Sequence, residues 1–365
     1  MAERALYKPL KVNRDCVHIL TYLSYNLILL ILLLLILSLI SFGIFNTPTP
    51  TPIMSRIFTV FGATGNQGGS VIATILSHPN LSSKYSVRAV TRDPSSSAAV
   101  ALAGKGCDVV KADLKDLASV RRAVSGSYAV FGVTNFWEIF NKAGETEQGK
   151  NIADASKESG VTHLIWSSLP HATKLTGGAL AQIHHFDSKA EVEEYIEKIK
   201  GDMLATYFRP GGFTTNFKQS INVGPDGVPT YFAPFHPTET RFPLIDVVAD
   251  TGKYIAGILE AGKSANGAQI NAVSQWLSPQ EITDILTKAS GTKVNFAQVP
   301  PEVFKTFLPG AMAEELTENM LLIRDYSYYG LGAETKQEES DRFLLQGTKL
   351  TSWEEFVGKN RPWKW

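Results

Sequence analysis

The sequence predicts an α/β protein, a doubly wound parallel sheet with a smaller C-terminal α+β lobe, and three observations predict it. From residue 54 onward, short apolar runs alternate with segments of helical spacing. A glycine-rich turn joins the first run to the first helix. After residue 210 the alternation gives way to Pro, Gly and aromatic residues. Strands separated by single helices pair in parallel with right-handed crossovers, and that connection places helices on both faces of a sheet.

The bulk composition fits a globular chain. Its 365 residues are 44% hydrophobic, enough for a substantial core. Lys+Arg and Asp+Glu number 35 each, so no net field draws the protein to nucleic acid, and direct nucleic-acid binding is not expected. Cys16 and Cys107 lie far apart, which excludes a disulfide framework and a CxxC redox or zinc centre; no metal site is expected.

Residues 1–53 differ in kind from the rest. Residues 27–45 run without a charge, about 28 Å as a helix, and predict a transmembrane segment followed by a Thr-Pro linker. Arg4, Lys8, Lys11 and Arg14 precede it, which would keep the N-terminus cytoplasmic. A cleaved signal peptide fits less well, because the run is long and no small-x-small site follows it. A third reading starts the functional chain at Met54, immediately before the first strand. The expectation is a single-pass membrane protein if translation starts at Met1, and otherwise a cytoplasmic or nuclear one.

Within residues 54–210, strands are predicted at 57–61, 86–91, 108–111, 128–133, 162–166 and 204–208, from their β-branched and aromatic content. Helices are predicted between them, at 68–77, 97–104, 114–124, 145–159 and 187–200. Residues 211–365 are expected to form a substrate-side lobe, not strictly separable from the first domain.

The first strand runs into Gly62-Ala63-Thr64-Gly65-Asn66-Gln67-Gly68 and then an apolar helix. That order of strand, glycine turn and helix is the dinucleotide-binding arrangement of a Rossmann domain. Gly62 permits the sharp turn, Gly65 admits the pyrophosphate, Gly68 lets helix and strand pack closely, and the helix N-terminus faces the phosphates. At the tip of the second strand, where an acidic residue would hold the ribose of NAD, stands Arg92, whose guanidinium suits a 2′-phosphate. The expected cofactor is therefore NADP(H). Asp113 and Leu114 after the third strand could flank the adenine, and Thr134, Asn135 and Phe136 after the fourth could line the nicotinamide side.

Short-chain dehydrogenases place a tyrosine four residues before a lysine on one helix face. Here Lys189 is present, but the tyrosine position holds His185, which can also exchange protons near neutral pH. These two are the catalytic candidates. Ser167 and Ser168, at the end of the fifth strand, stand where such enzymes keep a substrate-polarising serine. The blander alternative makes Lys189 a ribose ligand and His185 a partly exposed neighbour of the helix start.

Four segments carry a family resemblance: 58–70 (FTVFGATGNQGGS), 134–138 (TNFWE), 148–154 (QGKNIAD) and 185–195 (HFDSKAEVEEY). On these the chain from Met54 onward resembles the NmrA-like family of atypical short-chain dehydrogenases. The resemblance implies NADP(H) held by the turn from Gly62 to Gly68, Arg92, Asp113, Leu114, Thr134, Asn135, Phe136, Lys189 and a loop around Phe213 and Asn216. Family members divide between redox-sensing regulators and reductases, several in fungal secondary metabolism, and both groups lack the tyrosine.

Two functions follow as expectations. One is an NADP(H)-dependent oxidoreductase reducing a small carbonyl or imine, enclosed by residues 212–243 with Phe213, Phe217, Tyr231, Phe232 and Phe235. The other is a non-catalytic NADP(H) sensor acting through a regulatory protein partner.

Overall fold

The computed structural model describes residues 14–41 and 55–363, with side chains described over 25–38 and 55–363. The chain divides into two compact units, Met1–Met54 and Ser55–Trp365.

In the first unit the expected membrane span falls on the helix Arg14–Ser41. Among the described residues no helix is long and apolar enough to cross a membrane. This corrects the transmembrane-helix expectation, and with it the single-pass membrane placement. Residues 42–45 of the expected span, the Thr-Pro linker and the alternative start at Met54 lie outside the described residues.

In the second unit six strands form where the sequence predicts them: β1 (Arg56–Val60), β2 (Tyr85–Thr91), β3 (Asp108–Lys111), β4 (Ser127–Gly132), β5 (His163–Ser167) and β6 (Leu204–Pro210). Alternation sorts their side chains onto two faces. Phe58, Phe131, Ile165 and Phe208 join one buried cluster, whereas Phe61, Val130, Trp166 and Tyr207 join another on the opposite face. The helices Lys142–Glu158 and His184–Ile199 supply Ile152, Val192 and Ile196 to the second cluster.

Beyond β6 follow β7 (Gly212–Phe213), β8 (Ile221–Val223), β9 (Pro229–Ala233), β10 (Phe242–Ile245), β11 (Gln269–Ala272), β12 (Gln275–Leu277) and β13 (Asn295–Gln298). The central sheet has seven strands in the order β11-β6-β5-β4-β1-β2-β3, each pair parallel. The seventh strand thus comes from the segment expected to form the lobe. The helix Val247–Ala261 returns to the sheet as well. A Cβ at Gly252 would stand 2.1 Å from Thr74 Oγ1 and 2.4 Å from the Ser70 carbonyl, so glycine is what lets this helix lie against Asn66–Ser77.

Two small sheets, β12-β10-β7 and β13-β9-β8, complete the lobe. Its core holds three of the aromatics expected around a substrate: Phe217, Tyr231 and Phe235 are buried with Trp353. Phe217 lies 5.3 Å from Tyr231 and 4.9 Å from Trp353, ring centre to ring centre. These rings hold the lobe together; they do not wall a substrate.

Candidate functional site

All strands of the central sheet point the same way, so the segments leaving β1 to β5 converge on one edge. The glycine turn sits there after β1. Gly62 has φ +61°, and a Cβ on it would lie 2.8 Å from Val133 Cγ1. A Cβ on Gly68 would lie 2.3 Å from the Gly62 carbonyl oxygen, which rules out any side chain without moving the helix off the strand. Ala63 is buried beneath the turn, while Thr64, Gly65 and Asn66 are exposed on top.

Gly65 caps the helix Asn66–Ser77 without a side-chain acceptor, and no acidic residue stands in the first turn. Its opening N–H groups therefore face outward, at the positive end of the helix dipole. A pyrophosphate fits this end on both counts.

Arg92 leaves β2 with its side chain largely exposed and forms an ion pair with Glu138. Asp93 beside it is turned away: its carboxylate accepts from Ser95 N at 2.9 Å and from Ser95 Oγ at 2.5 Å. Those hydrogen bonds hold the Asp93 carboxyl below its ordinary pKa. After β3, Asp113 Oδ1 accepts from Lys115 N at 2.9 Å, and the Leu114 carbonyl accepts from Asn151 Nδ2 at 2.8 Å. Beside that loop a cleft of about 390 Å³ is lined by Lys115, Ile139, Asn141 and Gly144.

After β4 the chain forms the short helix Phe136–Ile139, with Asn135 at its cap position. Thr134 is buried and donates from Oγ1 to Glu145 Oε1 at 2.8 Å. Lys189 reaches the same carboxylate, Nζ to Oε1 at 2.5 Å, and Ser188 Oγ donates to the other oxygen. Glu145 is fully buried. Three donors, one of them a cation, satisfy it, as a buried carboxylate requires. The sequence reading missed Glu145; its signal was an acidic residue in the first turn of an otherwise ordinary helix.

His185 is brought to the same edge. Its Nδ1 lies 2.7 Å from Glu315 Oε1, and its backbone N–H donates to that oxygen at 2.8 Å. Burial pushes its pKa down, and Glu315 opposes the shift. With Nδ1 donating to the carboxylate, the neutral ring leaves Nε2 as an acceptor. The rings of Trp137 and Phe186 stand 4.8 Å from the His185 ring, and that of Phe136 stands 6.0 Å away. Trp137 and Phe140 are themselves exposed. Glu315 comes from the helix Gly310–Tyr326, about 130 residues from His185 in sequence, and no local motif announces it.

Neither serine at the end of β5 is free. Ser167 Oγ donates to Gln67 Oε1 at 2.7 Å, tying β5 to the glycine turn. Ser168 Oγ donates to Glu193 Oε2 at 2.6 Å. Glu193 also pairs with Arg209, Nη2 to Oε1 at 2.6 Å, and accepts from Gln269 Nε2 at 2.7 Å, which fastens the seventh strand. Phe213 is half-buried against the core on one side of the sheet, and Asn216 ends the 3₁₀ turn Thr214–Asn216. Among the described residues, neither side chain hydrogen-bonds Lys189 or His185.

A Rossmann sheet with a glycine turn before an uncapped helix defines a nicotinamide-dinucleotide-linked protein of the oxidoreductase class. The chain belongs to the NmrA-like family, whose profile matches residues 54–357. It is 32% identical over 261 residues to the NmrA-like family domain-containing oxidoreductase ptmS of Penicillium ochrochloron, covering 67% of this chain and 76% of that protein. With the oxidoreductase himF of Aspergillus japonicus it shares 29% over 297 residues, 77% of this chain and 88% of that one. Among solved structures, NmrA, a negative transcriptional regulator, matches in complex with NADP with a TM-score of 0.68 and 22% identity, over 84% of this chain and 95% of that one. The triphenylmethane reductase of Citrobacter sp., complexed with NADP(H), matches with a TM-score of 0.63 and 20% identity, over 83% and 99%.

Proposed function

We propose that this protein is an NADP(H)-dependent reductase acting on a small carbonyl or imine. The observation that carries the reading is Lys189, held by Glu145, on the helix that also bears His185, whose ring meets an aromatic cluster of Phe136, Trp137 and Phe140. When bound, the reduced nicotinamide supplies hydride. Arg92 binds the 2′-phosphate, the turn from Gly62 to Gly68 binds the pyrophosphate, and Asp113 and Leu114 flank the adenine. Thr134, Asn135 and Phe136 line the nicotinamide side, with Phe213 and Asn216 closing it from the lobe. Lys189 orients the ribose, while the aromatic wall excludes water from the reacting carbon. The neutral His185 accepts a hydrogen bond at Nε2, which positions a water as proton source for the reduced substrate.

The test supplies NADPH with a panel of small carbonyls and imines and follows the absorbance of the reduced nicotinamide. Lys189→Ala should weaken NADPH binding and abolish turnover together. His185→Ala should spare binding and lower turnover by about 10² to 10⁴, the usual effect of losing an acid-base group.

A second reading makes the protein a sensor that binds NADP(H) without turnover and passes its state to a protein partner. The observation favouring it is the engagement of His185 Nδ1 by Glu315, which leaves the neutral ring no proton to give. In that case His185→Ala changes nothing measurable in the absorbance assay, no substrate of the panel is consumed, and cofactor occupancy changes partner affinity instead.

A further inference from the structure

We propose that Glu138 is an internal competitor for Arg92: its carboxylate occupies the guanidinium until a nucleotide 2′-phosphate displaces it, and the displacement releases the aromatic turn after β4. The proposal rests on the NADP(H) reading above and goes beyond it by assigning a role to Glu138.

The sheet order carries the argument. Arg92 follows the end of β2 by one residue, and Glu138 lies six residues past the end of β4. Those strands are not neighbours. β1 lies between them, and its end feeds the glycine turn. An ion pair from β2 to the segment after β4 therefore crosses the edge above Gly62 to Gly68, where the dinucleotide would lie. A ligand entering there meets the pair directly.

The two anions compete on unequal terms. A 2′-phosphate carries more charge than a carboxylate and offers three oxygens to the planar guanidinium. Once it is seated, Glu138 faces a like charge and is driven off. A dinucleotide without the 2′-phosphate gives Arg92 no reason to leave Glu138.

Release of Glu138 is felt at the substrate side because the turn is short. Phe136, Trp137 and Phe140 contact one another edge to face, with centroids 5.3, 5.6 and 5.9 Å apart. Phe140 ends the turn at φ +46°, a left-handed conformation that a bulky residue seldom adopts. Trp137, adjacent to Glu138, lies 4.8 Å from His185. One helical turn thus has the cofactor-reading arginine at one end and the candidate proton-handling histidine at the other.

The experiment measures dissociation constants for NADPH and NADH in the wild type and in Glu138→Gln, with thermal melts to verify folding. The expected result is tighter NADPH binding in E138Q, by about two- to fivefold, the range for an exposed ion pair, with NADH unchanged. Trp137 fluorescence is the second readout: 2′,5′-ADP should shift it, 5′-ADP should not, and Trp137→Phe should remove the response. If the wild type prefers NADPH but E138Q binds it equally or more weakly, Glu138 is no competitor and the proposal is overturned while the cofactor reading stands. If the wild type binds both dinucleotides alike, the cofactor reading fails and the proposal goes with it.

Discussion

Lys189 Nζ lies 2.5 Å from Glu145 Oε1, and the carboxylate that receives it has no exposed surface. A charge in that position survives only with its partner, because desolvation of either ion alone is uncompensated. The pair also ties three expected cofactor-side elements to one point, since Thr134 and Ser188 donate to the same carboxylate.

Glu145→Gln should therefore destabilise the protein by about 3–5 kcal/mol, the usual cost of leaving a buried ion unpaired. Adding Lys189→Met should recover most of that loss, because no lone charge remains. Dinucleotide binding should stay lost in the double variant. Urea titrations and NADPH titrations on the single and double variants check the two halves independently; restored binding in the double variant would remove Lys189 from the cofactor site.

Arg92→Ala should erase the preference for NADPH over NADH, a difference of roughly 1–3 kcal/mol for a charge-assisted contact to phosphate. NADH affinity should change little, because among the described residues the Arg92 side chain pairs only with Glu138. A preference that survives in R92A would move the phosphate contact to another residue.

Gly68→Ala should damage both stability and cofactor binding. The new methyl would stand 2.3 Å from the Gly62 carbonyl and 2.6 Å from its carbon, both backbone atoms that cannot swing aside. Overpacking of this kind costs about 1–3 kcal/mol. Ordinary melting behaviour with unchanged NADPH affinity would show that helix and strand are not in the contact described.

His163, buried near the start of β5 with Nε2 2.8 Å from Thr206 Oγ1, has its pKa pushed down to about 4 by burial. An unfolded chain protonates this ring near pH 6.5, so between pH 6.5 and 4 the unfolded state binds the extra proton and stability falls as pH falls. The loss approaches ~3 kcal/mol by pH 4. Chemical denaturation across that window should show the slope in the wild type and a flatter line in His163→Asn, which keeps a hydrogen-bonding group but does not titrate. Identical slopes would place the acid sensitivity elsewhere.

How much of this was legible in the sequence depended on whether the signal was local. The turn from Gly62 to Gly68 was readable because strand, glycine spacing and apolar helix sit within about 20 residues, and each glycine answers to backbone sterics its neighbours impose. The six strands β1 to β6 were readable for the same reason: buried parallel strands must be short, apolar and bounded by turns. The uncharged run at residues 27–45 was also legible, but it misled: among the described residues no helix is long and apolar enough to cross a membrane.

What the chain determined by itself, then, is the parallel sheet, the glycine turn and the set of side chains that leave the strand ends. Tertiary structure alone decided the rest. β11 joins β6 from 59 residues beyond it, because a four-residue strand with alternating polar positions is stable only when a neighbour supplies its hydrogen bonds. Phe217, Tyr231 and Phe235 went to the lobe core rather than to a substrate, since aromatic composition does not say which face a ring will find. Glu145 on Lys189, Glu315 on His185 and Glu138 on Arg92 are contacts between residues 44, 130 and 46 positions apart. Burial makes the first two demanding, because a charge or a ring nitrogen removed from water must find a partner wherever the fold brings one.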